Sequence, residues 1–77
     1  MKEITAPVQI TYSFGNFIRT KRIELNLTQQ EVADRSGTTQ GYLSKIEKGL
    51  KEPTLSVALS LCDVLKLDIN EFAKMYT

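Results

Sequence analysis

The chain has 77 residues, 42% of them hydrophobic, with ten Lys or Arg against nine Asp or Glu and a net charge of +1. That size holds one small domain with a marginal core, and the near-zero charge excludes a general polycation that coats nucleic acid. One cysteine and no histidine exclude a disulfide framework, a Cys/His zinc site and histidine-based catalysis.

Residues 1–13 stand apart from the rest. Pro7 discourages a helix. Val8, Ile10 and Tyr12 alternate with Gln9 and Thr11 at the period of a short strand. A strand needs a partner, and the rest of the chain offers none. The segment is therefore expected to be a flexible arm or a strand paired with a second copy of itself.

From Phe14 the period becomes helical. Phe14, Ile18, Arg22 and Leu25 fall on one stripe, with Phe17 beside them, and the helix is expected to end at Asn26. Thr28 and Glu31 have the spacing of a capping box for a second helix, which Gly37 closes. Thr39 caps a third helix that carries Leu43 and Ile46 inward, and Gly49 suits its end. Thr54 opens a fourth, with Leu55, Ala58, Leu61, Cys62 and Leu65 on one face. Asp68 and Glu71 cap a fifth, carrying Ile69, Phe72 and Tyr76. The expected fold is all-α: an arm over 1–13, then five short helices over 14–77.

Two short helices joined by a glycine-containing turn make a helix-turn-helix. Ala33 is small where the second and third helices cross. Gly37 takes the positive φ of a sharp turn. Leu43 and Ile46 anchor the third helix and so decide which face it shows to solvent. That outer face holds Gln40, Gly41, Ser44, Lys45 and Lys48, with Glu47 close by. Between Arg35 and Lys51 there are four basic residues and one acid, a local excess of +3. A nearly neutral chain with one basic edge has an oriented binding surface.

In these stretches the sequence resembles the Cro/phage-repressor (xenobiotic-response-element) type of helix-turn-helix domain, the lambda-repressor-like fold. The matching pieces are Ile18 to Arg22, Leu27 to Ala33, Gly37 to Gln40, Leu43 to Gly49 and Pro53 to Leu55. The resemblance covers residues 14–73. It implies five helices, sequence-specific binding to double-stranded DNA as a homodimer, and transcriptional control without a cofactor or small-molecule ligand.

Roles follow from the resemblance position by position. The third helix is the recognition helix. Gln40, Ser44 and Lys45 would read bases: the Gln40 amide suits an adenine edge, and Lys45 suits guanine O6 and N7. Gln29, Thr39, Tyr42, Lys48 and Lys51 would contact phosphates. Arg22 and Glu47 match the family's ion pair between the first and third helices, and a structural clamp is favoured over a phosphate contact by Arg22. Gly41 departs from the pattern, since many relatives carry a base-reading side chain there. A dimer would set two recognition helices about 34 Å apart, one DNA turn, and so read a pseudo-palindrome.

Other features have plainer explanations. Cys62 lies on the apolar stripe of the fourth helix and is expected to be a small buried hydrophobe, with no redox or metal role. Phe14, Phe17 and Phe72 have core spacing and are not expected to form a base-stacking platform. Val57, Leu59, Val64, Met75 and Tyr76 exceed what the core needs and divide between scattered surface positions and a dimer patch.

The expected function is a transcriptional regulator that occupies an operator. The expected role is that of a repressor of a phage, mobile-element, restriction-modification or toxin-antitoxin operon. The competing class is a protein-interaction module that keeps the fold and binds a protein through its third helix. No paired carboxylates or nucleophile–base spacing point to an enzyme. No apolar run approaches the roughly 18 residues of a membrane span, and residues 1–20 lack the order of a secretory signal. The expected location is therefore the reducing cytoplasm, in association with the nucleoid.

Overall fold

The computed structural model describes residues 6–68 and 70, with side chains from residue 14 onward. Those residues form four helices: α1 over Ala6–Glu24, α2 over Gln29–Ser36, α3 over Gln40–Glu47 and α4 over Leu55–Val64.

α1 begins eight residues earlier than periodicity predicts. Residues 6–13 continue that helix and form neither a strand nor an arm. Pro7 is its second residue. In a first turn the missing N–H removes no helical bond, and the fixed φ of proline already suits a helix. Val8 and Tyr12, spaced two apart from Ile10, are also four residues apart, so the pattern fits either period. Residues 1–5 lie outside the described residues. So does most of the expected fifth helix, with Ile69, Glu71, Phe72, Met75 and Tyr76. At its start the Asp68 carboxylate accepts from the Asn70 amide at 2.9 Å.

The helix ends follow local chemistry. Thr28, Thr39 and Thr54 are extended N-caps, and each hydroxyl accepts a backbone N–H from three residues on. At Thr28 the capping box is complete, since Glu31 accepts the Thr28 N–H in return at 2.8 Å. Gly37, at φ 74°, turns α2 into α3, with Thr38 bonding back to the Ala33 carbonyl at 2.9 Å. Asn26 and Lys66 adopt the same left-handed geometry after α1 and α4, at φ 58° and 59°. For a lysine this costs about 1 kcal/mol or more.

The core joins all four helices: Phe14 and Ile18 from α1, Val32 and Ala33 from α2, Leu43 and Ile46 from α3, Ala58, Leu61 and Cys62 from α4, with Leu65 just after it. Phe17, Leu27, Tyr42, Val57, Val64 and Leu67 pack against this cluster. Val57 and Val64 therefore serve the core, whereas Leu59 faces outward. Leu55 was expected on the inner face of α4 and is instead 73% exposed. Helical side chains lean toward the N-terminus. At the first position of α4, Leu55 leans past the end of the helix and off the core. Leu25 is likewise exposed, because α1 has ended before it. Cys62 is buried, and burial followed by the charge of Asp68 pushes its thiol pKa up, so it stays a protonated, apolar filler.

Candidate nucleic-acid interface

α2 and α3 are joined by Gly37, Thr38 and Thr39 alone. Leu43 and Ile46 are fully buried and fix the rotation of α3. The opposite face is then set by geometry: Gln40, Gly41, Lys45 and Lys48 are exposed, and Ser44 is half-buried. Lys51 is exposed on the loop beyond. Thr39 is exposed, but its hydroxyl is engaged as the cap of α3, accepting from the Tyr42 amide at 3.1 Å. Tyr42 is half-buried, with its ring against the core.

Glu47 does not join the outer face. It is 6% exposed and turns inward to Arg22. Arg22 Nε donates to Glu47 Oε2 at 2.7 Å and Nη2 to Oε1 at 3.0 Å, a two-bond fork. Arg22 Nη1 donates to the Leu27 carbonyl at 2.9 Å. One guanidinium thus ties the end of α1, the turn before α2 and the last residue of α3. The sole acid of the basic stretch is consumed internally, so the outer face of α3 carries lysines and neutral polar groups without a carboxylate among them.

Gln29 extends this network. Its Nε2 donates to Glu47 Oε1 at 3.0 Å. Its Oε1 accepts from Gln40 Nε2 at 2.6 Å. The structure therefore brings together Gln29, Gln40, Glu47 and Arg22, which lie far apart in sequence. Ser44 and Lys45 sit further along the same α3, Lys48 caps its end, and Lys51 stands off it on the loop.

Sequence reasoning missed one residue here. Gly15 is buried where α1 crosses the end of α3. A Cβ at this position would collide with the Ile46 carbonyl oxygen and lie 3.1 Å from the carbonyl carbon of Glu47. The two backbones touch because Gly15 has no side chain. The available signal was a lone glycine beside Phe14 on the core stripe of a helix, which marks close backbone approach. Gly41 is different: a Cβ there meets nothing within 4 Å, so its smallness opens the outer face and serves no internal contact. Among the described residues, no helix is long and apolar enough to cross a membrane.

Comparison with known proteins matches this arrangement. A family model described as Helix-turn-helix matches residues 18–72. The transcriptional regulator ClgR of Mycobacterium tuberculosis is 36% identical over 56 residues, spanning 73% of this chain and 50% of that protein. The ImmF control region 10 kDa protein of Bacillus phage phi105 is also 36% identical over 56 residues, spanning 73% of this chain and 62% of that protein. The chain thus spans less than two thirds of either relative. Among solved structures, the restriction-modification controller protein C.AhdI from Aeromonas hydrophila superposes with a TM-score of 0.78 at 26% identity, over 84% of this chain and 94% of that one.

Proposed function

The chain belongs to the helix-turn-helix family of DNA-binding transcription regulators, and from that premise we propose that it is a sequence-specific regulator occupying a pseudo-palindromic operator as a homodimer in the cytoplasm, acting as a repressor without cofactor or effector. The observation that carries this reading is the inward turn of Glu47 onto Arg22. It leaves the outer face of α3 free of negative charge while holding that helix in one orientation.

In this reading α3 lies in the major groove. Gln40, Ser44 and Lys45 meet base edges. Lys48 and Lys51 hold phosphates, with Gln29, Thr39 and Tyr42 at the entry of the two helices. An eight-residue helix is roughly 12 Å long and faces about four base pairs. Four pairs define no unique site in a genome, which is the physical reason for two copies on a symmetric site. The relatives named for phage control and restriction-modification control favour an operon of that kind.

The test is selection from a randomised duplex library, with the double variant Gln40→Ala/Lys45→Ala as control. One enriched palindrome, lost in the control, is expected. Failure to enrich any sequence, at a salt where non-specific binding is already weak, would sink the proposal and turn attention to a protein partner for α3.

A further inference from the structure

Glu47 lies at the root of a chain of hydrogen bonds that ends on the outer face of α3. Its side chain is 2% exposed. Oε2 accepts from Arg22 Nε, while Oε1 accepts from both Arg22 Nη2 and Gln29 Nε2. An ionised carboxylate can only accept, whereas an amide side chain has a donor end and an acceptor end of almost the same shape. The orientation of such an amide follows from its partners. Facing Glu47, Gln29 has to turn its Nε2 inward. Its Oε1 then faces Gln40, and Gln40 answers with Nε2 at 2.6 Å.

What Gln40 has left is thereby fixed. One N–H remains to donate, and Oε1 remains to accept. Adenine shows one acceptor, N7, and one donor, N6–H, in the major groove, and matches that pair of groups. Guanine shows two acceptors, N7 and O6, and one of them would face the Gln40 oxygen.

We propose that Glu47 is a positioning residue for base choice: its buried carboxylate sets the amide of Gln29, and through it the donor–acceptor order of Gln40, so that α3 takes adenine over guanine. This rests on the operator-reading function proposed above. Glu47 never touches DNA; it acts through two amide orientations.

Glu47→Gln separates this role from simple support. The volume is kept, but one amide oxygen replaces two carboxylate oxygens that together serve Arg22 Nε, Arg22 Nη2 and Gln29 Nε2. The new N–H groups face Arg22 Nε from the Oε2 place, or Arg22 Nη2 and Gln29 from the Oε1 place, so the amide order of Gln29 is no longer fixed by its partner. In the second placing Gln29 turns its oxygen inward and its Nε2 to Gln40, Gln40 turns its own oxygen to Gln29, and its N–H groups point outward toward the acceptors of guanine. A loss of mere structural support would weaken binding to every sequence alike. Loss of the relay changes which base is preferred.

The experiment combines base selection with spectra of the free protein. Wild type, Glu47→Gln and Gln29→Met are each selected against a randomised operator library. In parallel, the side-chain amide resonances of Gln40 are followed by nitrogen-15 NMR without DNA. Wild type is expected to prefer adenine over guanine at one operator position by about 5- to 150-fold. Glu47→Gln should lower that preference, because the amide order of Gln29 is no longer held in one sense. Gln29→Met cuts the relay and leaves the Arg22–Glu47 pair whole; it should bring the preference down toward parity. Both variants should shift the Gln40 amide resonances. If Glu47→Gln does not fold, Gln29→Met decides. Unchanged base preference in the folded variants, or an unmoved Gln40 amide, overturns the relay while leaving operator reading intact. A wild type that selects no sequence overturns the operator reading, and the base choice with it.

Discussion

α3 and α4 are close in length, eight and ten residues, and are held by opposite means. α3 has two buried apolar anchors, Leu43 and Ile46, with Tyr42 half-buried beside them. Polar groups and backbone add directional contacts: the Arg22 fork on Glu47, the Gln29 bridge, and the close approach of Gly15 to the Ile46 carbonyl. α4 is placed by apolar packing of Ala58, Leu61 and Cys62, and it also leaves Leu55 and Leu59 exposed. Apolar packing is strong but non-directional. Hydrogen bonds are weak in net energy but geometrically demanding. The difference suggests a division of labour: α4 supplies stability, while α3 is held to a particular rotation and depth.

The largest test of that division is Arg22→Ala. It would leave the buried Glu47 carboxylate without its cation, at a cost of about 3–5 kcal/mol, read from urea unfolding. Replacing both partners by apolar residues, Arg22→Met with Glu47→Leu, should restore most of that stability. If those polar contacts aim α3, the restored protein folds but no longer selects an operator. Wild-type base preference in the restored protein would show that apolar packing alone aims α3. Leu61→Ala should cost about 2–5 kcal/mol through the cavity it leaves in the core. The molecules that remain folded should keep the wild-type preference, because α4 contributes no orientation. A changed preference would show that α4 also aims α3.

Gly15→Ala sharpens the α3 side. Alanine is the better helix former, yet here its methyl group meets the Ile46 carbonyl. Backbone cannot step aside as a flexible side chain would, so a net loss of about 1–3 kcal/mol is expected. A gain in stability would mean that α1 and α3 separate easily, and that their contact does not set the depth of α3. At Gly41 the opposite sign is expected. With open space around it, Gly41→Ala should stabilise α3 by up to about 1 kcal/mol, visible as a higher urea midpoint. A loss there would show that the outer face of α3 is more crowded than its geometry indicates.

The joints of this fold were legible because their chemistry is local. Thr28 with Glu31, then Gly37, Thr39 and Thr54, mark helix ends within four residues of sequence. The inner faces of α2 and α3 were equally plain from Ala33, Leu43 and Ile46. The start of α1 was not, because Pro7 is a breaker inside a helix and harmless in its first turn, and the choice depends on where the helix begins. Leu55 was misplaced for a related reason: periodicity gives a face but not the end of that face. Within the candidate site, the family resemblance implies the Arg22–Glu47 pair. It does not imply that Gln29 lies between Glu47 and Gln40, since that needs the crossing angle of two helices. Gly15 left only a small mark, a glycine beside Phe14 on the core stripe, because its role is the absence of atoms.

The smallest expected effect belongs to the cap at the start of α2, the helix whose first residue is Gln29. Hydrogen bonding from the Thr28 backbone, then its side chain, holds the Glu31 carboxyl below its ordinary value of 4.5. A carboxylate with a lowered folded pKa stabilises the fold in its ionised form. That contribution is complete above 4.5 and is lost as pH falls through the lowered folded value. Glu31→Gln keeps an acceptor oxygen for the Thr28 N–H, as a capping box allows, but it does not titrate. Urea midpoints followed from neutral pH to well below 4.5 should therefore fall less steeply for Glu31→Gln than for wild type. Because Glu31 is fully exposed, the difference should shrink further in high salt. Parallel acid profiles in the two proteins would show that the carboxylate charge adds nothing to the cap, and that α2, with Gln29 at its head, is held by the Thr28 hydroxyl and the core alone.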